Sequence, residues 1–96
     1  MPIVVVFEFP GEDIAKYHKV FEYGGPAVLA QPERLDHICY ATESGFVVVD
    51  VWEDEASFIA FGDVIGPALE KAGLDARPSI HPLKGTLTKD GARSVY

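Results

Sequence analysis

The sequence is poor in cysteine, in basic residues and in long apolar runs, and each scarcity excludes a class of protein. One cysteine, Cys39, stands alone among 96 residues, so no internal disulfide can form and we expect a reducing compartment, the cytoplasm. The longest uninterrupted apolar run, residues 3–7, is far shorter than the roughly 20 residues that cross a membrane. No basic segment followed by a long apolar one opens the chain, so we expect no secretory signal and no membrane partner.

Basic residues are outnumbered, because 8 Lys and Arg stand against 15 Asp and Glu and leave a net charge of −7 at pH 7. A surface of that sign repels nucleic acid, so no nucleic-acid partner is expected. The three histidines stand far apart, at positions 18, 37 and 81, without the close pairing that is typical of metal ligands. The sequence therefore predicts no metal site.

Strand and helix patterns alternate along the chain. Runs rich in β-branched and aromatic residues predict four strands, at 2–9, 35–42, 46–53 and 78–85. Gly45, in the short turn between the second and third strands, is expected to supply a positive φ.

Two helices are predicted between these strands. The second follows Asp54, a good N-cap, and carries an apolar stripe at positions 58, 61, 65 and 69. Pro67 lies inside this stripe and is expected to kink the helix or divide it. The first helix has residues at the spacing of one helical face, namely Ile14, Tyr17, His18 and Phe21.

The order β-α-β-β-α-β predicts a ferredoxin-like α+β domain over residues 1–86, in which a four-stranded antiparallel sheet carries both helices on one face. Residues 87–96 are polar and are expected to form a loose tail. Both sheet faces are apolar, since the third strand places Phe46, Val48 and Trp52 on one side and three valines on the other. The open face would expose a larger apolar patch than monomers usually tolerate, which predicts a homodimer that packs these faces together.

The segment VVDVWEDEASFIAF, residues 48–61, resembles the dimeric α+β barrel superfamily, in particular its antibiotic-biosynthesis-monooxygenase-like domains. Those proteins commonly show an aliphatic strand, a Trp, a short acidic or serine cap and an aromatic residue in the next helix; here these are Trp52, residues 53–55 and Phe58. The resemblance covers residues 2–86 and implies a homodimer with a pocket between sheet and helices in each subunit. Members include quinone-forming monooxygenases that use no cofactor, haem-degrading monooxygenases and proteins without an assigned reaction.

The haem-degrading branch of this superfamily fits the sequence poorly. That branch carries an asparagine on its first strand, and this chain contains no asparagine. It carries a Trp one turn after the helix aromatic, where this chain has Phe61, and an iron-ligating His further along the helix, where residues 67–72 include none. The resemblance therefore implies a protein that works without a cofactor.

His18 and Asp50 are the candidate catalytic residues. A neutral imidazole at His18 can take a proton from a phenol-like substrate before oxygen attacks; the alternative is a boundary histidine bonded to a backbone carbonyl. Asp50 interrupts an apolar strand, and a buried carboxylate must be paired, hydrogen-bonded or protonated. It is either a structural partner of a polar group, such as a histidine on a neighbouring strand, or a base in the pocket.

A substrate pocket needs apolar walls with a few polar groups. The hydroxyl of Tyr17 can orient a polar ligand group, whereas the other aromatic candidates fill core volume first and line a pocket only where a cavity exists. The residues assigned to the pocket are Tyr17, Phe21, Trp52, Phe58, Phe61 and His81.

Three functions compete. The first is a cofactor-independent monooxygenase that acts on an aromatic or polyketide-like small molecule. The second is a non-catalytic barrel, either ligand-binding or stress-associated, because no complete catalytic set appears in the sequence. The third is a tautomerase in which removal of Met1 exposes the amine of Pro2 as the base.

Overall fold

Nine helices and strands follow one another in the computed structural model, which describes all 96 residues. In chain order they are β1 (Ile3–Phe9), α1 (Ile14–Gly24), α2 (Pro26–Leu29), β2 (Arg34–Ala41), β3 (Phe46–Trp52), α3 (Glu55–Ala72), β4 (Ser79–Pro82), β5 (Gly85–Leu87) and β6 (Arg93–Val95). The first four strands form one antiparallel sheet in the order β2-β3-β1-β4. α1 and α3 pack on one face of it, which confirms the predicted ferredoxin-like arrangement.

The C-terminal residues are more ordered than their polar composition indicates. β5 and β6 pair as a separate antiparallel hairpin, in which Thr88 N donates to Ala92 O at 2.9 Å and Tyr96 N donates to Lys84 O at 3.1 Å. The expectation of a loose tail was therefore wrong. β4 is shorter than the predicted strand and ends at Pro82, which has no N–H to extend the ladder.

The buried face of α1 differs from the predicted one. Ile14 and His18 are exposed, whereas Val20 is buried and Tyr17 and Phe21 are partly buried. Residues 17, 20, 21 and 24 also have the spacing of one helical face. The buried face of α1 is therefore formed mainly by residues of its C-terminal half. Gly24 explains the choice, since a Cβ at this position would lie 2.1 Å from Val28 Cγ2 of α2. The close packing of α1 on α2 thus decides which side of α1 meets the sheet.

α3 is one continuous helix of 18 residues, so Pro67 does not divide it. The predicted N-cap is confirmed, because Asp54 Oδ1 accepts a hydrogen bond from Ser57 N at 2.7 Å. Phe61 and Ala68 are buried on either side of the proline, and this packing holds the helix together although Pro67 removes one backbone hydrogen bond. Neither α3 nor any other helix is long and apolar enough to cross a membrane.

The central strand β3 sets the positions of the side chains in the site. Asp50 lies opposite His37 on β2 and opposite Val5 on β1, and residues directly opposite one another project from the same sheet face. Val5 and Trp52 are completely buried on that face, and Asp50 is only 3% exposed. The helix-bearing face therefore carries one buried carboxylate in an otherwise apolar layer.

The opposite face of the sheet is apolar and lacks a covering layer in the protomer. Ile38 and Tyr40 of β2 are 55% and 49% exposed. The valines beside them on β1 and β3 are partly buried, namely Val4, Val6, Val49 and Val51. We call this surface the open face.

Gly45 is required for space and not for backbone conformation. Its φ is not positive, because the positive-φ glycines are at 11, 25, 73 and 91, so that expectation was wrong. A Cβ on Gly45 would lie 2.0 Å from the backbone oxygen of Phe9 and 3.0 Å from Gly11 N. The turn between β2 and β3 therefore packs directly on the chain that leaves β1.

Gly45→Ala is expected to lower the free energy of unfolding by about 1–3 kcal/mol or more, since overpacking against fixed backbone atoms forces the strands apart. Gly62→Ala in α3 is the matched control, because a Cβ there meets nothing within 4 Å. The control is expected to stabilise the protein by roughly 0.5–1 kcal/mol through helix propensity. Urea unfolding measures both, and a neutral Gly45→Ala variant would contradict the close approach.

Candidate functional site

A cavity lies between the helix-bearing face of the sheet and the helices. Fifteen residues line it and twelve of them are hydrophobic. The space open to the centres of water molecules is about 40 Å³, enough for about three or four waters at roughly 10–15 Å³ each. Its polar groups are few: the Tyr17 hydroxyl, Arg34, His37 and Asp50.

Three of these polar groups form a chain of hydrogen bonds. The Tyr17 hydroxyl lies 2.8 Å from His37 Nε2, and His37 Nδ1 lies 2.5 Å from Asp50 Oδ1. The second carboxylate oxygen, Oδ2, accepts from the indole N–H of Trp52 at 3.3 Å. Both oxygens of Asp50 are thus occupied, which is what a buried carboxylate requires.

The carboxylate determines where the imidazole carries its proton. An ionised carboxylate only accepts, so His37 Nδ1 is the donor toward Asp50. In the neutral ring Nε2 is then an acceptor, and the Tyr17 hydroxyl donates to it. The chain therefore runs from the buried carboxylate to a phenol at the cavity wall, with the Tyr17 oxygen lone pairs free to accept a proton from a ligand.

Burial keeps the Tyr17 hydroxyl and the Cys39 thiol in their neutral forms. Desolvation raises the pKa of the Tyr17 hydroxyl, the negative charges of Cys39 and Asp50 raise it further, and the positive charge of Arg34 opposes them. Desolvation likewise raises the pKa of the Cys39 thiol. At neutral pH Tyr17 is therefore a protonated donor, and Cys39 is a thiol packed against the apolar core.

Some of the residues predicted from the sequence meet at this cavity. Tyr17, Phe21, Asp50 and Phe61 line it. Asp50 also has the kind of partner considered for it, a histidine on a neighbouring strand. The structure thereby brings together groups from α1, β2, β3 and α3.

Other predicted site residues lie elsewhere. Trp52 and Phe58 are buried but do not line the cavity, and Trp52 reaches the site only through its bond to Asp50. His81 pairs with Val4 on the face away from the helices, where its Nε2 lies 3.0 Å from Ser79 Oγ. His18 is on the exposed side of α1. His37 therefore occupies the position beside the cavity that the helical pattern indicated for His18.

Arg34 is a cavity residue that the sequence pattern did not reveal. Its guanidinium carbon lies 6.0 Å from the ring centroid of Trp52 and 5.7 Å from that of Phe61. Nη1 donates to Val28 O at 3.0 Å and Nη2 to Leu29 O at 2.5 Å, so the side chain holds α2 against the sheet. A register shift between Arg34 and Asp36 turns Arg34 onto this face, and simple alternation along the strand cannot foresee such a bulge.

No family model matches the sequence, and no curated protein matches it. Solved structures do match, with 17–24% identity. SnoaB, a cofactor-independent oxygenase from Streptomyces nogalater, is 20% identical, with a TM-score of 0.61 over 92% of this chain and 96% of that one. A monooxygenase from the gene ActVA-Orf6 of Streptomyces coelicolor, solved with the ligand nanaomycin D, is 24% identical, with a TM-score of 0.54 over 92% of both chains.

A conserved protein from Methanosarcina mazei Go1 also matches, at 17% identity and a TM-score of 0.60, over 88% of this chain and 94% of that one. At these identities the likeness establishes the fold. It shows that the chain shares the fold of these solved structures, in agreement with the ferredoxin-like arrangement that the order of strands and helices predicted.

Tyr17 is expected to ionise at higher pH than the value of about 10 that is usual for tyrosine, because burial and neighbouring negative charge disfavour its phenolate. A pKa raised by folding contributes stability below the unfolded value, and that contribution is lost as the pH rises through the folded value. Phenolate absorbance, compared between wild type and Tyr17→Phe, measures the ionisation.

The control for this titration is Tyr96→Phe, which removes a hydroxyl from the last residue of the sequence, where Tyr96 is 44% exposed. A wild-type minus Tyr17→Phe difference spectrum that titrates at or below the ordinary tyrosine range would contradict the described environment of Tyr17.

Proposed function

We propose, from the premise that the chain has the fold of the antibiotic-biosynthesis-monooxygenase-like proteins, that it is a cofactor-independent monooxygenase acting on a small hydroxy-aromatic molecule. One observation carries the proposal: the hydrogen-bonded chain Tyr17–His37–Asp50 ends at the wall of an apolar cavity. Such an arrangement can remove a phenolic proton, and the phenolate is the form of an aromatic substrate that reacts with oxygen.

Proton removal follows the direction of the hydrogen bonds. The substrate hydroxyl gives its proton to the Tyr17 oxygen while Tyr17 passes its own proton to His37 Nε2. The imidazolium that forms is stabilised by Asp50, and the attraction is stronger in an apolar surrounding than in water. The protein thus supplies a base without a metal ligand or a prosthetic group in the step.

Oxygen supplies all the oxidising equivalents of the reaction. The phenolate gives one electron to O₂, and the resulting superoxide and phenoxyl radical combine at a ring carbon ortho or para to the hydroxyl that carries a hydrogen. Loss of that carbon's proton and cleavage of the O–O bond release water and leave a quinone. One oxygen atom enters the product and the other leaves as water, so a phenol and O₂ give a quinone and H₂O without another reductant.

The cavity is smaller than a single aromatic ring, so a substrate has to widen it, and a single ring requires the least widening. An apolar cavity of about 150 Å³ accommodates benzene, whereas this one offers about 40 Å³. Any aromatic substrate would therefore have to displace α2, whose Val28 lines the cavity, or remain partly outside. The same small volume is the observation that favours the alternative, a barrel that binds a ligand without transforming it.

The tautomerase alternative has no support in the geometry. Pro2 does not line the cavity, and its carbonyl accepts a hydrogen bond from Leu83 N at 3.0 Å beside β4. His18, the other sequence-based candidate base, remains a hypothesis that the experiment below separates from His37.

His37→Gln is expected to lower the rate of oxygen uptake about 10²- to 10⁴-fold, the usual contribution of a general base. An oxygen electrode with a panel of simple phenols and hydroquinones measures it, after subtraction of the uncatalysed rate. Tyr17→Phe is expected to lose a comparable factor while it leaves the His37–Asp50 pair intact. His18→Gln is expected to retain the wild-type rate.

Two results would count against this assignment. Loss of activity in His18→Gln with a normal rate in His37→Gln would move the base to α1. Ligand binding by the wild type without oxygen uptake on any compound of the panel would favour the non-catalytic barrel.

We also propose that the protein is a homodimer through the open face. Ile38 and Tyr40 are about half exposed beside a row of valines. The opposite face of the sheet is already covered by the helices. Apolar sheet faces of this kind become stable when two copies pack together about a two-fold axis. The net charge of −7 opposes association, so the apolar contact has to outweigh it.

Ile38→Glu is expected to shift the protein from dimer to monomer, because the new carboxylate would be buried without a partner. Ile59→Glu is the matched control, since Ile59 is 62% exposed on α3 and lies away from the open face. Sedimentation velocity over a range of protein concentrations measures both. A monomeric wild type, or dissociation of the Ile59→Glu variant alone, would disprove this interface.

A further inference from the structure

Arg34 brings a permanent positive charge into the apolar cavity, and the proposed proton transfer does not use it. We infer that Arg34 recognises an anionic group of the ligand, so that the cavity takes an aromatic acid with a hydroxyl toward Tyr17 and a carboxylate toward Arg34. The hydroxyl end of this inference rests on the proposed function, whereas the carboxylate end rests on Arg34 alone.

The charge of Arg34 lacks an acidic partner within the protein. The four ion pairs of the structure involve Lys16, Lys19, His37 and Arg77. Arg34 is partly buried, and its two hydrogen bonds go to neutral carbonyls, Val28 O and Leu29 O. A guanidinium has five N–H donors, so three remain for another acceptor. A carboxylate is the acceptor that matches a guanidinium in both charge and shape.

The acidic residue of the cavity is not that partner, because Asp50 and Arg34 form no ion pair. Asp50 Oδ1 accepts from His37 and Oδ2 accepts from Trp52. With a neutral imidazole at His37, Asp50 and Arg34 balance each other in net charge but bind different groups. The cavity therefore has two separate polar ends, one that handles a proton and one that is positive.

The two polar ends belong to neighbouring positions in the sheet. Arg34 lies opposite Trp52 in the sheet, and His37 lies opposite Asp50. Trp52 and Asp50 are two residues apart on β3, which corresponds to about 6.6 Å at a rise of roughly 3.3 Å per residue. The two ends thus arise from neighbouring positions of the sheet, so that one small molecule can contact both.

Two aromatic rings lie beside the guanidinium and help to fix its position. Its central carbon lies about equally far from the rings of Trp52 and Phe61, at 6.0 and 5.7 Å, a distance at which a cation and a π face still attract each other. The bonds to the carbonyls of α2 hold it from the other side. Arg34 is thus positioned before a ligand arrives, which lowers the entropy cost of recognition.

The experiment compares an anionic ligand with a neutral ligand of nearly the same shape. Isothermal titration calorimetry with para-hydroxybenzoate and with para-hydroxybenzamide is expected to show about ten- to hundredfold tighter binding of the acid to the wild type, the usual effect of a charge-assisted hydrogen bond. In Arg34→Met the preference is expected to fall to about one, and Arg34→Lys is expected to retain part of it.

A control separates recognition from support of α2, since Arg34 also binds the carbonyls of that helix. Gln31 Nε2 donates to Ala27 O of α2 at 2.7 Å, so Gln31→Met removes a bond to α2 without a change of charge. This variant is expected to keep the preference for the acid. The affinity for the amide reports any general damage to the cavity in each variant.

Three outcomes would overturn the inference: equal affinity of acid and amide for the wild type, a preference that survives Arg34→Met, or no binding of either compound at millimolar concentration. The measurement needs neither oxygen nor turnover. A protein that prefers the acid but consumes no oxygen retains the inference and loses the proposed reaction. A protein that oxidises neutral phenols without a preference for the acid retains the proposed reaction and loses the inference about Arg34.

Discussion

The buried carboxylate of Asp50 is the constraint on which the site depends. It is 3% exposed, and a charge in that position persists only when both oxygens are satisfied. His37 and Trp52 satisfy them, and removal of one partner from such a pair typically costs about 3–5 kcal/mol. The same contacts hold the imidazole in one tautomer and orient it toward Tyr17. Stability and chemistry therefore use one set of atoms.

The elements of the fold could be predicted from the sequence because their signals are local. The four strands and the cap at Asp54 follow from composition and local pattern. The two-residue period of a strand also groups Asp50 with Phe46, Val48 and Trp52, but it does not show whether that face meets the helices. The buried side of α1 could not be predicted, since residues 14–18–21 and residues 17–20–21 fit a helical face equally well. The contact of Gly24 with Val28 decides between them, and that contact is tertiary.

The candidate site could be predicted only in part for the same reason. Asp50 and Tyr17 stand out as polar groups within apolar patterns, and both line the cavity. His37 lies in a strand whose outer residues are exposed, and only the register with β3 shows that it faces Asp50. Arg34 depends on a bulge that reverses the alternation of β2. Pairing between strands, which sequence periodicity does not encode, brings Arg34, His37 and Asp50 together, and the packing of α1 on the sheet adds Tyr17.

Asp50 also affects how the sheet can pair. Four of the six residues from Val47 to Trp52 are valines, and a strand that is apolar on both sides gives little preference for one alignment over its neighbour. A slip by one residue would turn every side chain to the opposite face and would carry the carboxylate away from His37 and Trp52 onto the open face. Misaligned β2–β3 hairpins thus lose the hydrogen bonds of a buried carboxylate as well as packing. Asp50, which is suited to the chemistry of the site, therefore also favours the correct alignment of β2 and β3 during folding.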